Sequence, residues 1–183
     1  VANPSAKDTS VTIRIWGSDK SGALALSTGS TLTVASGKET VLNLSAAASG
    51  QDALYATVTG TDTPVAAIVR TVSMDGLTSK GSDYALPNNA SAKSLALYGL
   101  NGGDHATLYL YTSRKTDVTV SWIDSKGAQQ TNQQELKANR ASAIDLGDVP
   151  KSATGIAIAA SEPVSATAKI SDDGPDGQSD FAL

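Results

Sequence analysis

The chain has 183 residues, 17% of them charged, a formal net charge of −4 and no cysteine. The missing cysteine excludes disulfides, thiolate catalysis and cysteine-based zinc sites. Lys and Arg are scattered, adjacent only at Arg114-Lys115, which argues against nucleic acid and against docking on an anionic membrane, because both need clustered cations.

Apolar residues make up 40% of the chain but aromatics only 4%. The supply is mostly Ala, Val, Leu and Ile, which suits thin, closely spaced sheets better than a core with a roomy pocket. No run approaches the ~18 apolar residues of a membrane helix. Low charge with abundant Ser and Thr, and no cysteine, points to an exported bacterial protein, extracellular or in the cell envelope.

In chain order, Val11, Ile13 and Ile15 alternate with Thr12, Arg14 and Trp16. Leu54, Ala56 and Val58 alternate with Tyr55 and Thr57. Val118, Val120 and Trp122 alternate with Thr119 and Ser121, and Ile156 and Ile158 with small residues. This period of two predicts half-buried strands. Turn signals separate them at Ser18 to Gly22, Ser36-Gly37, Asp75-Gly76, Asn101-Gly102-Gly103, Ser125-Lys126-Gly127 and Asp173-Gly174. Ser45 to Ser49 reads as an Ala-rich turn at most, and Gln129 to Ala138 as a hairpin arm and a loop.

Segments of the first half return in order in the second. Gly81-Ser82-Asp83-Tyr84-Ala85-Leu86 returns as Gln178-Ser179-Asp180-Phe181-Ala182-Leu183. Pro64-Val65-Ala66-Ala67 returns as Pro163-Val164-Ser165-Ala166, and Arg70, Val72, Asp75 and Gly76 as Lys169, Ile170, Asp173 and Gly174. Thr40-Val41-Leu42-Asn43-Leu44 matches Ser142-Ala143-Ile144-Asp145-Leu146. Ser10-Val11-Thr12-Ile13 matches Asp117-Val118-Thr119-Val120, although Val11 to Ile15 also fit Ala106 to Leu110. The expected fold is all-β: two tandem Ig-like or jelly-roll-like sandwich modules from an internal duplication, residues 1–87 and 88–183. Lys93 to Tyr111 has little counterpart at the N-terminus, so the first module is expected to start part-way through. The Pro87 to Ala92 stretch reads as the linker.

No grouping suits catalysis, so an enzyme is not expected. His105 is the one histidine; its neighbour Asp104 points to the opposite face of an extended chain, and no Gly-x-Ser-x-Gly elbow exists. The acids sit mostly in turns, where their side chains bond nearby backbone. The metal candidates are Asp172, Asp173, Asp176 and Asp180, whose oxygens could serve calcium. Their spacing is not that of an EF-hand, and only Asp75 and Asp83 stand at the matching places of the first half, which favours an acidic turn. The recurring Ser-Asp-aromatic-Ala-Leu segment is expected to be structural, with its Asp on backbone amides and Tyr84 or Phe181 packed inward. No cofactor is expected.

Trp122 shares a face with Val118 and Val120 and should be core. Trp16 shares one with Thr12 and Arg14 and should be exposed, while Tyr109 and Tyr111 lie opposite Leu108 and Leu110. Trp16, Tyr109 and Tyr111 are therefore the binding candidates, suited to stacking on sugars or to protein contact. Asn43-Leu44-Ser45 and Asn89-Ala90-Ser91 match the glycosylation sequon, which has no meaning in a bacterial protein.

The Asn3-Pro4 start before Val11-Thr12-Ile13-Arg14-Ile15, the following Gly-containing hairpin, Val41-Leu42-Asn43-Leu44 and Pro64 to Arg70 together resemble a family of secreted actinobacterial proteins of unknown function, built of tandem β-sandwich repeats. The second half departs from it at Asn101-Gly102-Gly103, where proline is absent. The resemblance implies export and a cell-envelope setting, and no activity or functional residue. The expected function is a non-catalytic structural or adhesion module, with cell-wall polysaccharide or a surface protein as partner. The alternative is a carbohydrate-binding accessory module.

Overall fold

The computed structural model describes residues 1–19, 21–26, 29–75, 78–85, 90–100, 105–149, 154–171 and 179–182. The protein is all-β. Its strands are β1 (Thr9–Gly17), β2 (Thr31–Val34), β3 (Leu54–Gly60), β4 (Val69–Asp75), β5 (Thr78–Ala85), β6 (Ala92–Leu100), β7 (His105–Thr112), β8 (Thr116–Ile123), β9 (Gln129–Leu136), β10 (Arg140–Asp148), β11 (Thr154–Ser171) and β12 (Ser179–Ala182), with one helical turn, α1 (Ser45–Ala48).

The first half forms a three-stranded sheet in the order β2-β1-β3 and a separate β4-β5 hairpin. β1 buries alternate residues, Val11, Ile13 and Ile15, as its period of two requires. These close a small core with Val34, flanked by Leu24, Leu42, Leu44, Val58 and Val65.

The second half is one seven-stranded sheet in the order β10-β7-β11-β8-β9, with β6 and β12 also paired to β11. The eighteen-residue β11 organises it. Its first part, Thr154 to Ala160, lies between β6 and β8. Its second part, Ser165 to Ser171, lies beside β7 and β12. Between them the register shifts across Ala159 to Val164, where Pro163 removes a ladder donor. Hydroxyls secure this bend: Thr112 Oγ1 donates to the Pro163 carbonyl at 3.2 Å, and the Glu162 amide donates to Thr116 Oγ1 at 2.9 Å. The sheet curls there, so that Leu108 and Leu110 of β7, Val118, Val120 and Trp122 of β8, Ile144 of β10 and Ile156 and Ile158 of β11 meet in one core. Trp122 is core as expected, 9% exposed. Its indole N–H donates to the Leu146 carbonyl at 3.0 Å and so ties β8 to β10.

Three ladders of the first half have the registers of three in the second. β1 sets Thr9 opposite Val34 and Ile13 opposite Val58. β8 sets Thr116 opposite Leu136 and Val120 opposite Ile158. β4–β5 sets Arg70 opposite Tyr84, and β11–β12 sets Lys169 opposite Phe181. β5 and β12 lie alongside one another. Of the two alignments the sequence allows for Val11, these registers match the one onto Val118.

Other segments differ from their matches. Ser142 to Leu146 lies in β10, paired with β7, but Thr40 to Leu44 belongs to no ladder. The segment Gln129 to Leu136 is a full strand: Gln129, Thr131 and Gln133 are exposed, while Gln130, Asn132 and Gln134 share the half-buried face with Leu136, opposite Trp122, Val120 and Val118. Asp172, Asp173 and Asp176 lie outside the described residues, as do Pro87, Asn89 and the side chains of Asp83, Tyr84, Asp180 and Phe181.

Candidate functional site

The two halves meet at three aromatic rings. Trp16 near the end of β1 pairs in register with Tyr55 of β3, so both rings rise from the same face. Tyr111 of β7 reaches them from the second half. Its ring stacks on Tyr55 with centroids 3.8 Å apart, and Trp16 leans on both, at 5.7 Å from Tyr55 and 5.2 Å from Tyr111.

Polar bonds fix the same junction. The Arg140 guanidinium donates from Nε to the Ser18 carbonyl at 3.1 Å and again from Nη2. The Gly22 amide donates to the Asn139 carbonyl at 3.1 Å. Asn139 holds a left-handed backbone, φ 56, a conformation Asn tolerates better than most residues, and its Oδ1 accepts from the Tyr111 hydroxyl at 3.3 Å. Gln51 Oε1 accepts from the Ser18 amide at 2.8 Å and steadies the turn Arg140 grips. Burial, and then the neighbouring Tyr55, pushes the Tyr111 phenol above its ordinary value.

Trp16 and Tyr111 are thus brought together, but as packing partners. Trp16 is half-buried, not exposed: a ring from the far half of the chain packs on it, while Arg14 on the same face stays exposed. Tyr109 stands apart, facing Ala143 and Thr167 across its two ladders, with its phenol pushed up by burial. Tyr55 was not among the expected residues. Its signal was its place in an alternating strand, which puts it opposite Trp16 once β1 and β3 pair.

An open groove of about 270 Å³ lies on the second half, lined among others by Tyr98, Trp122, Ile123 and Gly155. Tyr98 is 74% exposed, and its ring lies over Gly155, where a Cβ would come within 3.1 Å of it. Tyr98 was not among the expected binding residues; its signal is alternation, which sets it on the face opposite Leu95 and Leu97.

His105 opens β7, and its Nε2 lies 2.8 Å from Asp145 Oδ1. The bulge between Asp145 and Gly147, with Gly147 at φ 68, sets that acid beside it. Ser171 of β11 stands opposite His105 across the β7–β11 ladder, and its side chain lies outside the described residues. Asp124 shows the turn chemistry of the acids: it accepts from the Lys126 and Ala128 amides at 2.9 Å and from Gln130 at 2.7 Å. These bonds, the Ala128 amide first, hold its carboxyl below the usual range. Among the described residues no group of three or more His, Cys, Asp or Glu is placed to hold a metal ion, and no helix is long and apolar enough to cross a membrane.

An all-β chain whose aromatics fasten its halves together is the class these features define. The chain belongs to a family of unknown function, DUF5719, whose model matches residues 1–183. No curated protein matches it, and no solved structure does.

Proposed function

We propose that this protein is a non-catalytic structural or adhesion module of the bacterial cell envelope, built from two copies of one β unit, residues 1–87 and 88–183. The observation that carries a structural role is the junction: Tyr111 stacks on Tyr55 and Trp16 packs on both. Rings that a sugar-binding face would leave free are here spent on holding two units in a fixed relation, which is what a spacer needs. The three shared ladder registers support the two-copy reading. Low charge and the lack of cysteine support export.

A second reading, a carbohydrate-binding module, is favoured by Tyr98 alone. Its exposed ring beside the groove at Ile123 and Gly155 is a platform of the kind sugars stack on. The test is a pull-down of the protein on insoluble polysaccharides and bacterial cell walls, with Trp16→Ala and Tyr98→Ala alongside. The structural reading expects no retention on polysaccharide that depends on either ring. Retention lost in Tyr98→Ala alone would replace it with the carbohydrate reading. Turnover of any polysaccharide or peptide substrate would overturn both.

A further inference from the structure

We propose that β9 is a self-association edge: a second copy of this chain sets its own β9 antiparallel to it about a two-fold axis, so that the two sheets run on into one. The interface lies wholly in the second half and stands apart from the reading of the halves as two copies of one unit.

β9 ends its sheet. It pairs with β8 on one side, and no backbone group of the described residues bonds to its other side. Natural edges are blunted by brevity, bulges, proline, lysine or a covering segment. Other edges of this protein show such devices. β2 has four residues, and β6 meets β11 with two register shifts. β10 is bulged between Asp145 and Gly147 and lies against β1 and β3, while β12 lies along β5. β9 has none of them. Its eight residues meet β8 one for one without a shift, and they include no Pro, Gly or Lys. Its single charge, Glu135, is paired with Lys115 at 2.7 Å.

The phase of the ladder decides which groups face out. The Asp124 amide donates to the Ala128 carbonyl, which makes those two a hydrogen-bonded pair. Such pairs alternate along an antiparallel ladder, so Gln130, Asn132, Gln134 and Leu136 bond to β8. Gln129, Thr131, Gln133 and Glu135 turn their N–H and C=O groups outward. Two such edges fit over the whole of residues 129–135 in one register, with Asn132 opposite its own counterpart. Gln129 then faces Glu135 and Thr131 faces Gln133 as hydrogen-bonded pairs, and every outward main-chain group of these four is used. Gln130 faces Gln134. A carboxamide both donates and accepts, so Gln meets Gln and Asn meets Asn, as in stacked amide ladders. Asn132 and Gln134 are half-buried, and their side chains have no hydrogen-bond partner among the described residues. The two Glu135 side chains stand at opposite ends, so no like charges meet. The occupant is a second copy because the two-fold satisfies the whole edge with one patch used twice. An apolar strand would leave Asn132 and Gln134 unpaired.

The chain has no cysteine of its own, so a single introduced one reports the register. Across the two-fold, residue 132 forms a pair that is not hydrogen-bonded, with Cα atoms about 4.5 Å apart, within the span of a disulfide. On oxidation of the full chain, Asn132→Cys should give a covalent dimer. Gln129→Cys, whose counterpart lies about 20 Å along the strand, should not. Sedimentation velocity should show the unsubstituted chain passing from monomer to dimer as concentration rises. Thr131→Lys/Gln133→Lys sets lysine against lysine on the exposed face, and should stay monomeric with unchanged circular dichroism. The proposal is overturned by a monomer up to about 1 mM, by a dimer that survives the lysine pair, by assembly that continues beyond the dimer, or by Gln129→Cys cross-linking as readily as Asn132→Cys.

Discussion

The ring of Tyr111 lies flat on the ring of Tyr55, planes 5° from parallel and centroids 3.8 Å apart, although one belongs to the seven-stranded sheet and the other to the three-stranded one. Such a pair adds about 0.5–1.5 kcal/mol beyond its buried area, and here it also covers Trp16. Tyr111→Ala should cost about 2–3 kcal/mol with that area included, and should loosen the junction without melting either core. Limited proteolysis should then cut between the halves. In a Trp122→Phe background, Trp16 emission should shift to longer wavelength. Unchanged protease resistance would show that Arg140 and Asn139 suffice to hold the halves.

Trp122→Phe keeps most of the ring but removes the donor to the Leu146 carbonyl. A buried acceptor left unpaired costs about 1–3 kcal/mol. Chemical denaturation should show a loss in that range, with the slope unchanged. A loss under about 0.5 kcal/mol would mean that water replaces the indole.

Thr9 and Thr116 sit at matching places in their ladders, both buried, yet only one is satisfied. Thr116 Oγ1 pairs with Ser161 Oγ at 2.8 Å and accepts from the Glu162 amide. Thr9 Oγ1 has no partner among the described residues. Thr116→Val should therefore destabilise by about 1–3 kcal/mol, whereas Thr9→Val should be neutral or stabilising. Equal effects in thermal melts would contradict this difference in bonding.

Alkaline pH should act on the junction. Burial raises the Tyr111 phenol above its unfolded value of about 10, so folding favours the protonated ring. The stability this contributes is full below the unfolded value and is lost as pH rises through the folded one. Tyr109 acts in the same direction. Melting temperature should fall more steeply above pH about 10 in the native chain than in a Tyr109→Phe/Tyr111→Phe variant. Parallel profiles would refute the role of these phenols.

The strands with mixed faces were legible in the sequence. Val11 to Ile15 and Val118 to Trp122 declare themselves by alternation, and Trp122 declares its burial by sharing a face with Val118 and Val120. Gln129 to Leu136 did not, since a strand of Gln, Asn and Thr carries no apolar period and is recognised only through its pairing with β8. Thr40 to Leu44 misleads in the other direction. It has the composition of its match in β10, but a strand exists only with a neighbour, and that is not a property of five residues. The aromatic junction was invisible for a related reason. Trp16 beside Thr12 and Arg14 reads as exposed, and what covers it comes from β7. His105 likewise gained its carboxylate from β10, through a bulge that only the folded sheet produces.

The length of β11 has a consequence for how the protein is made. Every other strand of the second half except β9 and β10 pairs directly with it, and it follows all of them but β12 in the sequence. Until residue 171 has left the ribosome, β6, β7 and β8 are apolar segments without their shared neighbour, and pairing them requires closure of loops tens of residues long. The growing chain must therefore be kept from associating with its neighbours through those strands.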